Sequence, residues 1–473
     1  MKLKGFIGGA YKLQSTAVEC QECINLYPQM DESGTGRNVA TLFSTPGLRL
    51  FADLGANPAR GMLQTASGRM FMVTYTTLWE INGEMEATNR GTLNSSAGYV
   101  GMAENGQQIM LVDGPNGYQF DLSTNALTQL ADFPGGFSVG FLDGVFVFNK
   151  PNTQQFYCTD QYSTTIDPLN FASAEASPDN ILSLLIDHEL IYLFGQRTLE
   201  IWYNAGAQNF PFQRVAGGVV PTGTPAALSP IAADNTVAWL GQDRGGRGIF
   251  WRLEGYTAQR ISTHAIEQEI SRYAMLEDCV GYSYQQDGHT FGVWSFPTGN
   301  KTWVYDFAMQ LWHRRAYTGQ LGLERHRGQY QVDAFGETII SDYANGKLYV
   351  LDPDVLNDAG NRIAKIRSSP YISDELKNLF ISRLQIDIQT GLGPDGDAEN
   401  NPAPQCMMQW SDDGGRTWSN EYWVGLGKLG QNLTRAIWRR LGRTRQRVFR
   451  FTMTDDYRVA LNDAFIEVTE GRS

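Results

Sequence analysis

Cys20 and Cys23 stand in Cys-x-x-Cys spacing, that of a zinc half-site or a redox pair. Zinc needs four ligands, and no other close Cys or His pair completes the set; thioredoxin-like exchange needs a βαβ setting that the flanking residues lack. These thiols read as structural, and with Cys158, Cys279 and Cys406 they make an odd total of five, which fits a reducing cytoplasm better than a disulfide framework. His188, His264, His289, His313 and His326 are dispersed, without the His-Glu-x-x-His spacing of a metal site. No Gly-x-Ser-x-Gly elbow and no Gly-x-x-x-x-Gly-Lys-Ser/Thr phosphate loop occurs, and the glycine-rich run from Asp243 to Gly248 reads as a hairpin tip. No catalytic residue, metal ligand or cofactor is expected, and the chain does not read as a metabolic enzyme.

Charge is the stronger signal. Arg435, Arg439, Arg440, Arg443, Arg445, Arg447 and Arg450 fall within 434–451 with no acid among them, in a chain of net charge −12. Such a cluster is either a docking surface or the solvated face of one strand. Mutual repulsion among arginines favours docking, because a guanidinium can give two parallel hydrogen bonds to a carboxylate or phosphate. A protein partner is preferred to DNA, since the chain is acidic overall and repels nucleic acid. Arg435, Arg439, Arg440, Arg443, Arg445 and Arg447 are therefore the candidate partner-binding residues. Just upstream, the run Ser411-Asp412-Asp413-Gly414-Gly415-Arg416-Thr417-Trp418 resembles the Asp-box of sialidases and related propellers. Ser411, Asp413, Gly415 and Trp418 are its structural core: the Asp and Gly build a turn, and the Trp packs beneath it. It occurs once, outside the repeated region, and no arginine triad with a Tyr/Glu nucleophile pair accompanies it.

The elements that must carry these residues read as strands. Glycine is 50 of 473 residues, and Asn-Gly or Asp-Gly pairs begin at 82, 105, 113, 116, 143, 287, 345, 395 and 413. Such pairs favour two-residue hairpin turns, as between the apolar halves of the run from Phe141 to Phe148. Trp79, Tyr118, Tyr157, Trp202, Phe250, Trp303 and Tyr349 recur 39 to 53 residues apart, the length of a four-stranded propeller blade. The expected fold is all-β: a six- or seven-bladed β-propeller plus a C-terminal antiparallel β-sandwich-like domain, with a sandwich array or irregular barrel as the alternative. One short helix is expected over 262–273, capped by Ser262 or Thr263. After about Asp352 the pattern changes, and Leu384, Ile386 and Ile388 alternate with polar residues as in a half-buried strand. The expected domains are 1–50, an N-terminal arm ending in the propeller-closing strand; 51–365, the propeller; and 366–473, the C-terminal β domain. No apolar stretch reaches the roughly 20 residues of a membrane helix, and no leader is expected.

Several stretches, taken in order, resemble a known family: Asn25-Leu26-Tyr27-Pro28, Ser44-Thr45-Pro46-Gly47-Leu48, the runs from Asn105 to Ile109 and from Val112 to Gly114, Asp167 to Glu175, Ser177 to Asp179, Thr198 to Asn204, Phe210 to Arg214, and Trp303 to Asp306 with Trp312-His313. The sequence resembles the packaged-DNA stabilisation proteins, or tail accessory (tail hub) proteins, of short-tailed bacteriophages. The resemblance implies a virion tail protein made in the host cytoplasm, assembling with itself as a ring, commonly a hexamer. It further implies that the ring binds the portal adaptor, closes the head after DNA packaging, and carries the tail needle and tailspikes or fibres. Packaged DNA would pass through the channel without sequence-specific binding. A receptor- or glycan-binding tail protein is the rival reading, and a sialidase-like glycosidase a more distant one.

Overall fold

The computed structural model describes residues 1–13, 15, 19–33, 40–207, 210–242, 247–375, 377–393 and 403–471. The Asp395-Gly396 pair and residues 243–246 of the glycine-rich run lie outside them.

Seven four-stranded antiparallel sheets follow one another: 59–92, 101–129, 139–173, 181–220, 231–260, 280–319, and 328–352 completed by Gly47–Asp53. We number them blades 1 to 7. The fold is a seven-bladed β-propeller, and all seven aromatic landmarks of the sequence lie in the third strand of their blades. Blade 7 takes its outermost strand from the chain just before blade 1, with Leu48 opposite Leu351 and Arg49 opposite Val350. Hydrogen bonds between segments some 300 residues apart thus close the ring and leave blade 7 without a missing strand.

Second strands such as Met70–Thr74 are buried throughout, because each blade is covered on both faces. Alternate residues point to opposite faces of a strand: Met70 and Met72 pack against blade 7, while Phe71 and Val73 pack against blade 2. A separate apolar core of this kind lies between every pair of neighbouring blades. The helix His264–Ile270 is capped by the Thr263 side chain and places Ile266 and Ile270 in the core between blades 5 and 6.

Beyond blade 7 the chain forms a β-sandwich. One sheet has the order Leu26–Met30, Ala40–Ser44, Ala460–Glu470, Leu379–Ile388, Ala436–Arg439, with Arg443–Thr444 also on Leu379–Ile388. The facing layer contains Lys365–Ser368, Gln446–Met453, Gln405–Ser411 and Tyr422–Gly425. The N-terminal segment is therefore not an arm before its closing strand: Leu3, Phe6, Cys23, Leu26 and Leu42 belong to the sandwich core with Leu384, Phe449 and Ile466. Local pattern shows that such residues are apolar, but not which distant sheet accepts them.

The propeller and sandwich share backbone. Cys23–Ile24 pairs in parallel with blade 6 at Arg314 and antiparallel with Lys365–Ser368, making one continuous sheet. The buried Arg367 guanidinium donates to the carbonyls of Phe6 at 2.7 Å and Gly9 at 3.0 Å and to the Gln21 side chain, tying the N-terminal turn to this joint. Arg315, equally buried, donates to the Pro46 carbonyl at 2.5 Å. Buried guanidinium donors left unpaired would carry a heavy desolvation penalty, so these contacts hold the joint in one geometry.

Candidate assembly surface

The arginine segment forms an edge of the sandwich. Ala436–Arg439 is the terminal strand of its sheet, pairing only on the Leu379–Ile388 side. Ala436 and Trp438 point into the core, which turns Arg439 outward, and Arg440, with φ of 60°, starts the turn towards Arg443. Arg435, Arg439, Arg440, Arg443 and Arg445 are exposed, and among the described residues none has a side-chain hydrogen bond or ion pair. Charged side chains on an edge also discourage unwanted strand addition, so this row is useful to the fold even before any partner binds.

Arg447 departs from the expectation of a partner-binding role. It is 3% exposed, and its guanidinium grips both carboxylate oxygens of Asp412 at 2.6 and 2.7 Å, donates to the Leu441 carbonyl, and lies 5.0 Å from the Trp410 ring centre. The segment itself holds no acid, but the turn after the neighbouring strand Gln405–Ser411 supplies one. Arg450 stacks 3.9 Å above the Trp418 ring and donates to Gln409 Oε1 at 2.7 Å, and burial lowers its pKa. Both arginines are structural. Sequence separation hid the pairing, which follows from the register that sets Gln409 opposite Arg450 and Ser411 opposite Val448.

The Ser411–Trp418 turn builds this arrangement. Asp413 accepts from the Thr417 hydroxyl at 2.6 Å and amide at 2.9 Å and from the Arg416 amide at 3.0 Å, while Ser411 Oγ accepts from the Gly415 amide at 2.7 Å. These donors, the Thr417 hydroxyl foremost, hold the Asp413 carboxyl well below the usual carboxylate range. Trp418 lies against Gly415. The turn is a staple that presents Asp412 to Arg447, and its polar groups are satisfied by one another.

A second charged surface lies on the propeller. In an antiparallel blade the first and third turns fall at the same end, so they gather on one face of the ring. Glu84 and Glu86 of blade 1, Asp143 of blade 3, Glu189 of blade 4, Asp234 of blade 5, Asp287 of blade 6 and Asp333 of blade 7 are exposed there. Arg252, 3.7 Å from Asp234, is their one ion-pair partner among the described residues. Sequence reading missed this face because each of the six contributing blades supplies only one or two acids.

Aromatic side chains from different parts of the propeller meet at one cavity. Tyr99, in the segment leading into blade 2, lies 5.3 Å between ring centres from Phe137, in the segment leading into blade 3, and 5.9 Å from Tyr330 of blade 7, and the three line a cavity of about 150 Å³ with Leu228 and Ser183.

Groups that could do chemistry are sealed. Burial pushes the Cys20 thiol up to about 12 and the Cys23 thiol up to about 11, away from a reactive thiolate. Among the described residues, no cluster of His, Cys, Asp and Glu could hold a metal ion. His289 and Asp306 form a hydrogen bond of 2.7 Å but are 4% and 0% exposed, out of reach of a substrate.

The sequence profile for the bacteriophage P22 Gp10 β-propeller matches residues 6–356, and that for the P22 Gp10 β-sandwich matches residues 366–469. The chain belongs to this phage Gp10 family. It is thus a structural protein of a bacteriophage tail. Both matched domains coincide in type with what the strands form, a propeller followed by a sandwich. No curated protein matches the chain. Of the solved structures, the N-terminal domain of Nup159 superposes with a TM-score of 0.41 at 7% identity, covering 70% of this chain and 98% of that one. That degree of likeness carries no argument.

Proposed function

We propose that the chain is the hub subunit of a short phage tail. Copies form a ring beneath the portal adaptor, close the head after DNA packaging and carry the needle and the tailspikes or fibres. The protein acts without catalysis or cofactor, is made in the host cytoplasm and ends in the virion. The observation that supports this reading is the propeller followed by a sandwich, matched by the phage Gp10 profiles over residues 6–356 and 366–469. In this reading DNA passes between several copies set around a common axis, as in closed cyclic assemblies.

The test is the mass of the purified chain with and without the adaptor ring, together with copy number per particle from imaging of tails. About six copies in a closed ring, the cyclic arrangement, is the expected result. Three copies placed as peripheral spikes would overturn it in favour of receptor binding.

A further inference from the structure

We propose that the arginine edge of the sandwich docks on the acid-tipped propeller face of a neighbouring copy, at the hairpins of blades 7 and 1. The inference rests on the ring reading and names the contact that builds the ring.

Five exposed arginines on one edge have no partner within the described chain, although the molecule carries an excess of 12 negative charges. Local repulsion is relieved when carboxylates of another chain approach, and guanidinium forks suit carboxylates in pairs. At blades 7 and 1, Glu84, Glu86 and Asp333 are exposed and have no ion-pair partner among the described residues. They surround Met85 and Phe335, which are 49% and 39% exposed. The two hairpins adjoin, since a side chain added at Gly83 would lie 3.3 Å from the Phe335 ring.

The arginine edge has a matching apolar component. Leu433, 94% exposed, is two residues from Arg435, and the exposed Trp423 lies on the strand whose Tyr422 carbonyl accepts from Trp438 at 2.9 Å. A surface with apolar centre and charged rim thus faces its complement on the same polypeptide, the composition expected of a specific interface. The two faces belong to different domains, so the contact is heterologous and propagates from copy to copy until rotation closes it into a ring. DNA is the weaker occupant, because the acidic body of the protein would approach the phosphates with the arginines.

The experiment uses two full-length variants, one with Arg439→Glu and Arg443→Glu, the other with Glu84→Lys and Asp333→Lys. Each alone, on the adaptor ring, is expected to lose ring assembly while keeping the wild-type melting temperature. Their equimolar mixture is expected to recover assembly, since each mixed contact again joins opposite charges. A pair of cysteines, Arg439→Cys and Glu84→Cys, supplies a second readout as an intermolecular disulfide in the ring. Wild-type rings with neither rescue nor crosslink would overturn the inference and leave the hub reading standing. Rings unaffected by the arginine reversal, together with loss of retention on a DNA fragment, would assign the edge to DNA. Wild-type chain that forms no ring with the adaptor would overturn both readings.

Discussion

Asn25 and Ala316 exchange two hydrogen bonds: the Asn25 amide donates to the Ala316 carbonyl at 2.9 Å, and the Ala316 backbone amide donates to Asn25 Oδ1 at 2.8 Å. One side chain imitates a strand partner for the end of blade 6. The same amide donates to the Ala364 carbonyl at 2.9 Å, at the entrance to the sandwich. Asn25 is buried, with φ of 54°, a conformation that asparagine tolerates better than most residues. Beside the shared sheet and the Arg367 and Arg315 contacts, the joint between domains thus has one buried carboxamide that bonds both sides.

Replacing Asn25 with Ala removes three buried hydrogen bonds and leaves their backbone partners unsatisfied, a loss of about 2–4 kcal/mol. Calorimetry is expected to show one unfolding transition for the wild type and two for Asn25→Ala, because the domains no longer unfold together. A single transition at unchanged temperature would show that the continuous sheet alone couples them.

Arg447 and Arg439 are predicted to differ despite their similar setting in the sequence. Arg447→Ala removes the buried donor of the half-exposed Asp412 and of the Leu441 carbonyl and is expected to cost about 2 kcal/mol. Arg439→Ala, at an exposed site without an internal partner, is expected to stay within about 0.5 kcal/mol. Urea unfolding of the two variants measures both.

Acid should weaken the fold through His313. Burial, with help from Arg315 and His289, lowers its pKa from 6.5 to about 3, and neither ring nitrogen has a hydrogen-bond partner. The unfolded chain takes up this proton as pH falls below 6.5 while the folded chain does not. The contribution is fully present above pH 6.5 and is lost as pH falls towards about 3, by about 3 kcal/mol at pH 4. His313→Leu is expected to flatten the slope of stability against pH over that window, and an unchanged slope would assign it to other groups.

Gly47 admits no side chain. A Cβ there would lie 2.3 Å from the Val355 carbonyl oxygen and 2.5 Å from that of Asn357, both backbone atoms. Gly47→Ala is expected to loosen the strand that closes blade 7, seen as faster amide hydrogen exchange in Leu48 to Leu50 and in Lys347–Asp352, with blades 2 to 4 unchanged. Uniform exchange across all blades would mean that closure is not local.

Local signals carried the propeller. Large aromatics spaced by one blade length mark third strands because each blade must bury the same central position against its neighbours. Turn chemistry was read less fully. Asp143-Gly144 and Asp287-Gly288 take positive φ at both residues, as the two-residue hairpin demands. Equivalent turns at His188-Glu189, Asp234-Asn235 and Phe335-Gly336 adopt the same conformation without the Asn-Gly or Asp-Gly signature. Packing of the flanking strands there outweighs the backbone preference of the turn residues.

What the sequence by itself determined is what a few adjacent residues can express: strand alternation, the closing strand's apolar run, the self-contained Ser411–Trp418 turn and the concentration of arginines. Tertiary structure alone decided that Leu26 and Leu42 enter the sandwich core, that Asp412 neutralises Arg447, and that acids from separate blades gather on one face. The reason is geometric. Periodicity reports which side of a strand is apolar, whereas a partner 30 or 400 residues away is selected by register and by the closure of the ring, which no local window contains.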